Sequence, residues 1–371
     1  MELGELSDYL VWAAATAYTI AMVCFAVDLA RVSEEIGARR KTRALAGVPA
    51  AVSSAGTSAS AADTSASAAG TSASAAGTAG TANSAATGSE DDPSSGAIAT
   101  YVGRKTKALG IAMSTTVLGF LFHAGAVLVR GLAAGRVPWA NMYEFCLTGT
   151  FVAVLVFLVV QLRKEIRYIG VIITFVVVTF LMIGMQAFHI AADSVQPALQ
   201  SYWLVIHVGI AVSATGVFTV AFAVSILQLL RDSLNSGSTL LRGEGVVIRG
   251  RNRLTGKFFN WRWLEVLPQP DRLEALSFRI NAIGFVMWTF TIIGGAIWAD
   301  GAWGRAWGWD PKEVWSFIVW VVYAAYLHAR TTRGWSGRRA AYFVIVGYVT
   351  VLFNFTGVNI LFNGKHSYSG L

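Results

Sequence analysis

The chain has 371 residues, of which 55% are hydrophobic, 12% aromatic and only 13% charged, with a mean hydropathy of +0.55 and a formal net charge of +8. Soluble domains carry roughly 25% charged residues, so this composition excludes an ordinary soluble enzyme, and the aromatic content excludes a disordered chain. What remains is a polytopic membrane protein, in which positive charge reports loop topology rather than nucleic-acid binding.

Apolar runs of about 20 residues mark spanning helices. The first covers 8–30, and its acidic leader MELGELSDYL lacks the basic region of a signal peptide, so it reads as an uncleaved first helix. Residues 44–100 change character: Ala, Ser, Thr and Gly in imperfect copies of TSASAAG, then SEDDPSSG. Nothing there can bury a core, so 32–106 is expected to be a flexible cytoplasmic linker. Further spans follow at 108–130, 142–162, 168–188 and 202–230. In the loop 231–276, RGEGVVIRGRNRLTG has the pattern of a hairpin and FNWRWLEVLPQPDRLEAL that of an amphipathic piece at the membrane surface. Spans at 277–299, 313–329 and 340–362 complete the set. The expected fold is therefore an all-α polytopic membrane bundle of about eight transmembrane helices, divided into 1–31, 32–106 and a core at 107–371.

Loop charge orients the bundle. If loops alternate, one side holds 24 of the 29 Lys and Arg residues, and the other only Arg130, Arg136, Arg305, Lys312 and Lys365. The basic side faces the cytoplasm, which places both termini outside. The two cysteines, Cys24 and Cys146, lie in apolar runs and form no CxxC. A thioredoxin-like site and a zinc ribbon are thus unavailable, and both read as small buried hydrophobes.

Five histidines exist: His123, His189, His207, His328 and His366. An ionisable residue inside a span is a functional candidate by default. The outer segment 298–316 then supplies a constellation, with Trp298, Trp303, Trp307, Trp309 and Trp315 interleaved with glycines and followed by Asp310-Pro311-Lys312-Glu313. An interfacial aromatic belt does not explain five tryptophans in that setting. Trp and Gly together are expected to build a flat apolar shelf for a large planar ligand. His207, one to two turns into a helix that starts outside, and His366, in the outer tail, fall on the same side as that shelf. His328 lies eighteen residues after Asp310, about 27 Å along a helix and near the cytoplasmic end. A planar aromatic ligand with two axial imidazoles describes haem.

At these residues the chain resembles the CcsA/ResC haem-handling proteins of System II cytochrome c biogenesis. WGRAWGWDPKEVWSFIVWVVYAAYLHAR is similar to the family's WWD signature, PALQSYWLVIHV and NGKHSY to its two external histidine segments, and GRVPWANMYEF to an outer-loop motif. The resemblance covers roughly 107–371 and leaves the linker outside it. It implies that haem b is cargo, taken from the cytoplasmic side and presented outside. His207 and His366 would be the axial ligands there, with His328 a transit ligand and Trp303, Trp307, Trp309, Asp310 and Trp315 around the haem. It also implies a plasma-membrane location, a ResB-type membrane partner, apocytochrome c with CxxCH as acceptor, and thioredoxin-like proteins that keep the acceptor thiols reduced. Haem-lyase activity would belong to the complex. The family pattern asks for no histidine at 123 or 189. Arg305 is a candidate partner for a haem propionate.

Other readings remain open on the residues alone: a System I haem-export component, a membrane b-type cytochrome, a solute transporter, or a scaffold for another haem carrier. A b-type cytochrome needs histidines paired at one depth, and a transporter needs corresponding interrupted helices; neither pattern is evident.

Overall fold

The computed structural model describes residues 2–46, 105–192, 201–236, 261–362 and 364–365. Within them the chain is helical, with no strand. Eight long helices follow one another: α1 (Leu3–Ala46), α2 (Lys107–Ala134), α3 (Met142–Arg163), α4 (Gly170–Ala187), α5 (Tyr202–Asn235), α6 (Pro270–Trp303), α7 (Pro311–Thr332) and α8 (Arg338–Leu352). Short 3-10 turns precede α4 and α6, and α8 continues through a π-turn (Phe353–Gly357) into Val358–Leu361. The predicted hairpin at 242–256, most of the predicted linker and His366 lie outside the described residues.

Seven of these helices are long and apolar enough to cross a membrane. The eighth, α7, is 22 residues long but spends its length on Trp315, Trp320, Tyr323 and Tyr326 and on charged ends, which lowers its apolarity. α1 does not stop near residue 30 but runs 44 residues to Ala46. At 1.5 Å per residue this is about 66 Å, twice the hydrocarbon thickness, so its basic end projects beyond the bilayer. The stretch 261–276 lays its apolar side against the bundle. Leu264, Leu267 and Leu273 are fully buried, packed in the core with α1 residues, and Arg231 of α5 donates to the Leu264 carbonyl at 3.0 Å.

The helices pack in two groups. α1 lies along α2 and α4, while α5 lies along α6 and also touches α3 and α8; α7 closes the second group against α6 and α8. Small residues permit the approach, as expected where lipid offers no hydrophobic contrast. A Cβ on Gly284 would stand 2.6 Å from the Phe218 ring, and one on Gly119 2.9 Å from Tyr18. Buried polar side chains tie the first group together. His123, fully buried, donates from Nε2 to the Leu147 carbonyl at 2.8 Å and accepts at Nδ1 from Tyr18 Oη–H at 3.3 Å. Both ring nitrogens are thus engaged in joining α1, α2 and α3, a structural role.

The N-termini of α3, α5 and α7 and the C-termini of α2, α4, α6 and α8 gather at one end. On the outer side assigned by loop charge, this end holds the site.

Candidate functional site

α6 delivers Trp298, buried, and Trp303 before ending at Gly304, whose φ of +68° forms the left-handed cap. The chain then turns through 304–310 and re-enters a helix at Pro311, a first-turn position where its fixed φ is pre-organised. Asp310 and Glu313 form a reciprocal capping box. Asp310 accepts from the Lys312 amide at 3.3 Å, and Glu313 Oε2 accepts from the amides of Gly308 at 2.8 Å and Asp310 at 3.1 Å. The loop between the helices is therefore wired to the start of α7. Trp309 sits in it at φ +57° and is 73% exposed. That backbone conformation costs a residue with a Cβ roughly 1–2 kcal/mol.

The tryptophans do not make one flat shelf. Trp298 and Trp303 meet edge to face at 4.8 Å and 68°, and Trp307 meets Trp309 at 6.0 Å and 88°. This is the arrangement the ring quadrupoles prefer over a coplanar array. Trp315 turns away to pack on Phe353 at 4.3 Å, and Lys365 Nζ lies 5.3 Å over the Trp303 ring.

Behind the loop opens a cavity walled by α3, α4, α5, α6, α7 and the α8 continuation. Its lining is mostly apolar and includes Phe145, Trp288, Trp298 and Trp307. It extends past His207 to Thr219, twelve residues further along α5 and so about 18 Å deeper. At that depth Thr219 and Tyr348 share a hydrogen bond of 2.9 Å.

His207 is the histidine this cavity holds. Its Nδ1 donates to the Thr291 carbonyl of α6 at 2.8 Å, which puts the ring proton on Nδ1 and the lone pair on Nε2. A metal-ligating imidazole is characteristically oriented in this way by a carbonyl behind it. Trp298 lies nearly parallel to the ring, at 8° and 6.5 Å. The ring fits against α6 because residue 295 is glycine: a Cβ there would stand 2.7 Å from His207 Cε1. Trp139, from the outer-loop motif, lies against Gly209 beside it.

The other expected site residues are distributed. Trp307 lines the cavity with His207, whereas Trp303, Trp309 and Trp315 are placed around the loop as described. Asp310 is buried at the loop's base, and its Oδ1 accepts from the Lys365 amide at 2.8 Å. The residue after Lys365 is His366, which lies outside the described residues. His328 is on the exposed face of α7 at the opposite end, so it does not share the cavity. His189, half-exposed, pairs with Asp8 at 2.9 Å. The outer-loop motif GRVPWANMYEF proves structural at Glu144. This carboxylate, with no exposed surface, takes Arg130 at 3.1 Å, Arg136 at 2.7 Å and the Ala140 amide at 2.9 Å. Sequence reasoning did not select Thr291, Gly295, Lys312 or Asn354 as site residues. The paired Gly294-Gly295 inside an apolar span was the available signal for a close approach.

The family described as cytochrome C assembly protein matches residues 139–366, well over half of the chain, from the outer-loop motif to His366. The chain belongs to this family. Among its relatives, the cytochrome c biogenesis protein CcsA of Prochlorococcus marinus (strain MIT 9312) is 35% identical over 284 residues, which cover 71% of this chain and 86% of the relative. The proteins of the same description from Parasynechococcus marenigrum (strain WH8102) and Synechococcus elongatus are each 33% identical, over 70% of this chain and 86% of each relative. Family membership places this multi-pass assembly protein in cytochrome c biogenesis. Within it, the cavity with His207 and the Trp307 loop falls inside the matched region, while α1 and α2 precede it.

Proposed function

We propose that this chain carries haem b across the plasma membrane and presents it on the outer face for attachment to the CxxCH thiols of apocytochrome c. In this reading it is a System II component that works with a ResB-type partner and with thioredoxin-like reductants. The observation that carries it is His207, its Nδ1 held by the Thr291 carbonyl inside an outer cavity walled by tryptophan. A neutral imidazole with its lone pair on Nε2 suits haem iron, and the apolar, aromatic walls suit a porphyrin face. His366 is the second axial ligand in this reading, and support for it is that the preceding residue, Lys365, donates its amide to Asp310 at the base of the loop. His328 serves uptake at the inner end.

The attachment adds each cysteine S–H across a haem vinyl group, forming a thioether without net oxidation. The nucleophiles belong to the acceptor, so this chain needs none of its own. Its part is positioning, which by itself supplies a large share of a rate enhancement. Lyase activity therefore belongs to the complex.

The test is covalent haem on a secreted CxxCH reporter, co-expressed with this chain and a ResB-type partner in a host without its own maturation system. Attachment by the wild type and its loss in His207→Ala/His366→Ala, at equal membrane levels, is the expected result. Equal attachment in both overturns the ligand assignment. No attachment by the wild type, with all proteins present, favours a b-type electron carrier or a scaffold.

A further inference from the structure

Lys312 occupies an unusual position. It stands at the second residue of α7 and lines the cavity that holds His207. Its Nζ donates to the Asn354 carbonyl at 2.6 Å and to Asn359 Oδ1 at 3.2 Å. Both acceptors are neutral. The nearby carboxylates are turned elsewhere, Asp310 to the amides of Lys312 and Lys365 and Glu313 to the amides of Gly308 and Asp310. Among the described residues, no carboxylate lies within ion-pair distance of this ammonium. An ammonium has three N–H donors, and two are accounted for. Asp310 acts on this ammonium only from beyond ion-pair distance, and proteins pair charges removed from water or reserve them for a ligand.

Asn354 gives a second, independent sign. It is 4% exposed, lines the same cavity, and its Oδ1 has no hydrogen-bond partner, while Nδ2 donates to Ser316 Oγ at 3.2 Å. An orphaned buried acceptor calls for an explanation. Rotating the amide by half a turn supplies one: Oδ1 then accepts from the Ser316 hydroxyl, and Nδ2 offers its N–H to the cavity beside Lys312. Amide orientation is assigned by the network around it. The backbone contributes as well, since the Asn354 carbonyl that holds Lys312 belongs to the π-turn at 353–357. Such turns recur at functional sites.

We propose that Lys312 and Asn354 form an anion subsite in the wall of the cavity, and that it takes a carboxylate of the ligand held at His207. With haem as that ligand, a propionate docks between the Lys312 ammonium and the Asn354 amide. This assignment rests on the haem reading above. It makes Lys312, half-buried at the wall, the propionate partner in place of Arg305, which is exposed in the loop.

Titration of the purified full-length chain in neutral detergent tests it, with haem and haem dimethyl ester as probes and the Soret band as readout. The wild type is expected to bind haem about tenfold more tightly than the ester, the ratio expected for one charge-assisted contact. Lys312→Gln is expected to lose that preference yet keep the wild-type Soret position, because His207 is untouched, and Lys312→Arg to retain most of it. Equal affinity of the wild type for haem and ester overturns the subsite without touching the haem reading, and this comparison needs no variant. A Lys312→Gln chain that keeps the full preference overturns the role of Lys312. Failure of the wild type to bind either probe overturns the haem reading and the subsite with it.

Discussion

The chemistry of the site turns on how one imidazole is held. His207 is oriented by the Thr291 carbonyl and by the absence of a side chain at residue 295. Gly295→Ala would put a methyl carbon 2.7 Å from Cε1 and 3.0 Å from Nδ1, whereas Gly294→Ala would place one in ordinary contact at 3.8 Å. Displacing a positioned group by an ångström costs up to about a hundredfold in rate. Gly295→Ala is therefore expected to lower reporter haem attachment by about tenfold or more, with unchanged membrane levels, and Gly294→Ala to leave it near wild type. Equal effects of the two would show that crowding of His207 is not the cause. His207 was visible in the sequence as a candidate, but its partner lies 84 residues away. No local pattern reports which carbonyl an imidazole meets. The same limit separates His123 from His207: both sit in apolar runs, and only the packed helices reveal that one is saturated by Leu147 and Tyr18.

At the scale of elements, the start of α7 is the junction of the site. Asp310 caps that helix and also holds the Lys365 amide of the C-terminal tail. Asp310→Ala removes both bonds. The cap alone is worth about 1 kcal/mol, so a lower thermal unfolding midpoint is expected for the purified chain. Asp310→Asn keeps an acceptor oxygen and is expected to restore most of the difference; identical midpoints for the two variants would remove the capping argument. Elements were legible where transfer energy dominates. Seven spans pass on length and apolarity, and the Asp-Pro step marked the start of α7. The overrun of α1 to Ala46 was not legible, because a polar helix beyond the bilayer leaves no hydropathy signal. The stretch 261–276 has an amphipathic pattern, but what its apolar side packs on was not legible: α1 and α5, distant in the chain, offer an apolar wall to Leu264 and Leu267.

For the whole molecule, orientation decides which side receives the product. The basic loops predict that the ends of α6 and α8 and the start of α7 face outward, with both termini outside. In intact cells, with Cys24 and Cys146 replaced, an impermeant maleimide is expected to label Arg305→Cys and to spare Arg333→Cys until the membrane is opened. The opposite pattern would invert the bundle and place the His207 cavity on the cytoplasmic side. The structure agrees with alternation, since the outer loop, the cavity mouth and the Lys365 tail all gather at one end.

The sequence by itself determined that this chain enters a membrane, about how many times it crosses, and which few residues are candidates to carry chemistry. Each of these is a sum of local transfer energies or an inventory of side chains, so it survives without knowledge of neighbours. The tertiary structure alone decided that the tryptophans meet edge to face, that His207 shares a cavity with Lys312 and Asn354 while His328 does not, and that Glu144 and His123 are spoken for. Those outcomes depend on the rotation of each helix about its axis and on which helices touch, and both are set by packing between residues far apart in the chain.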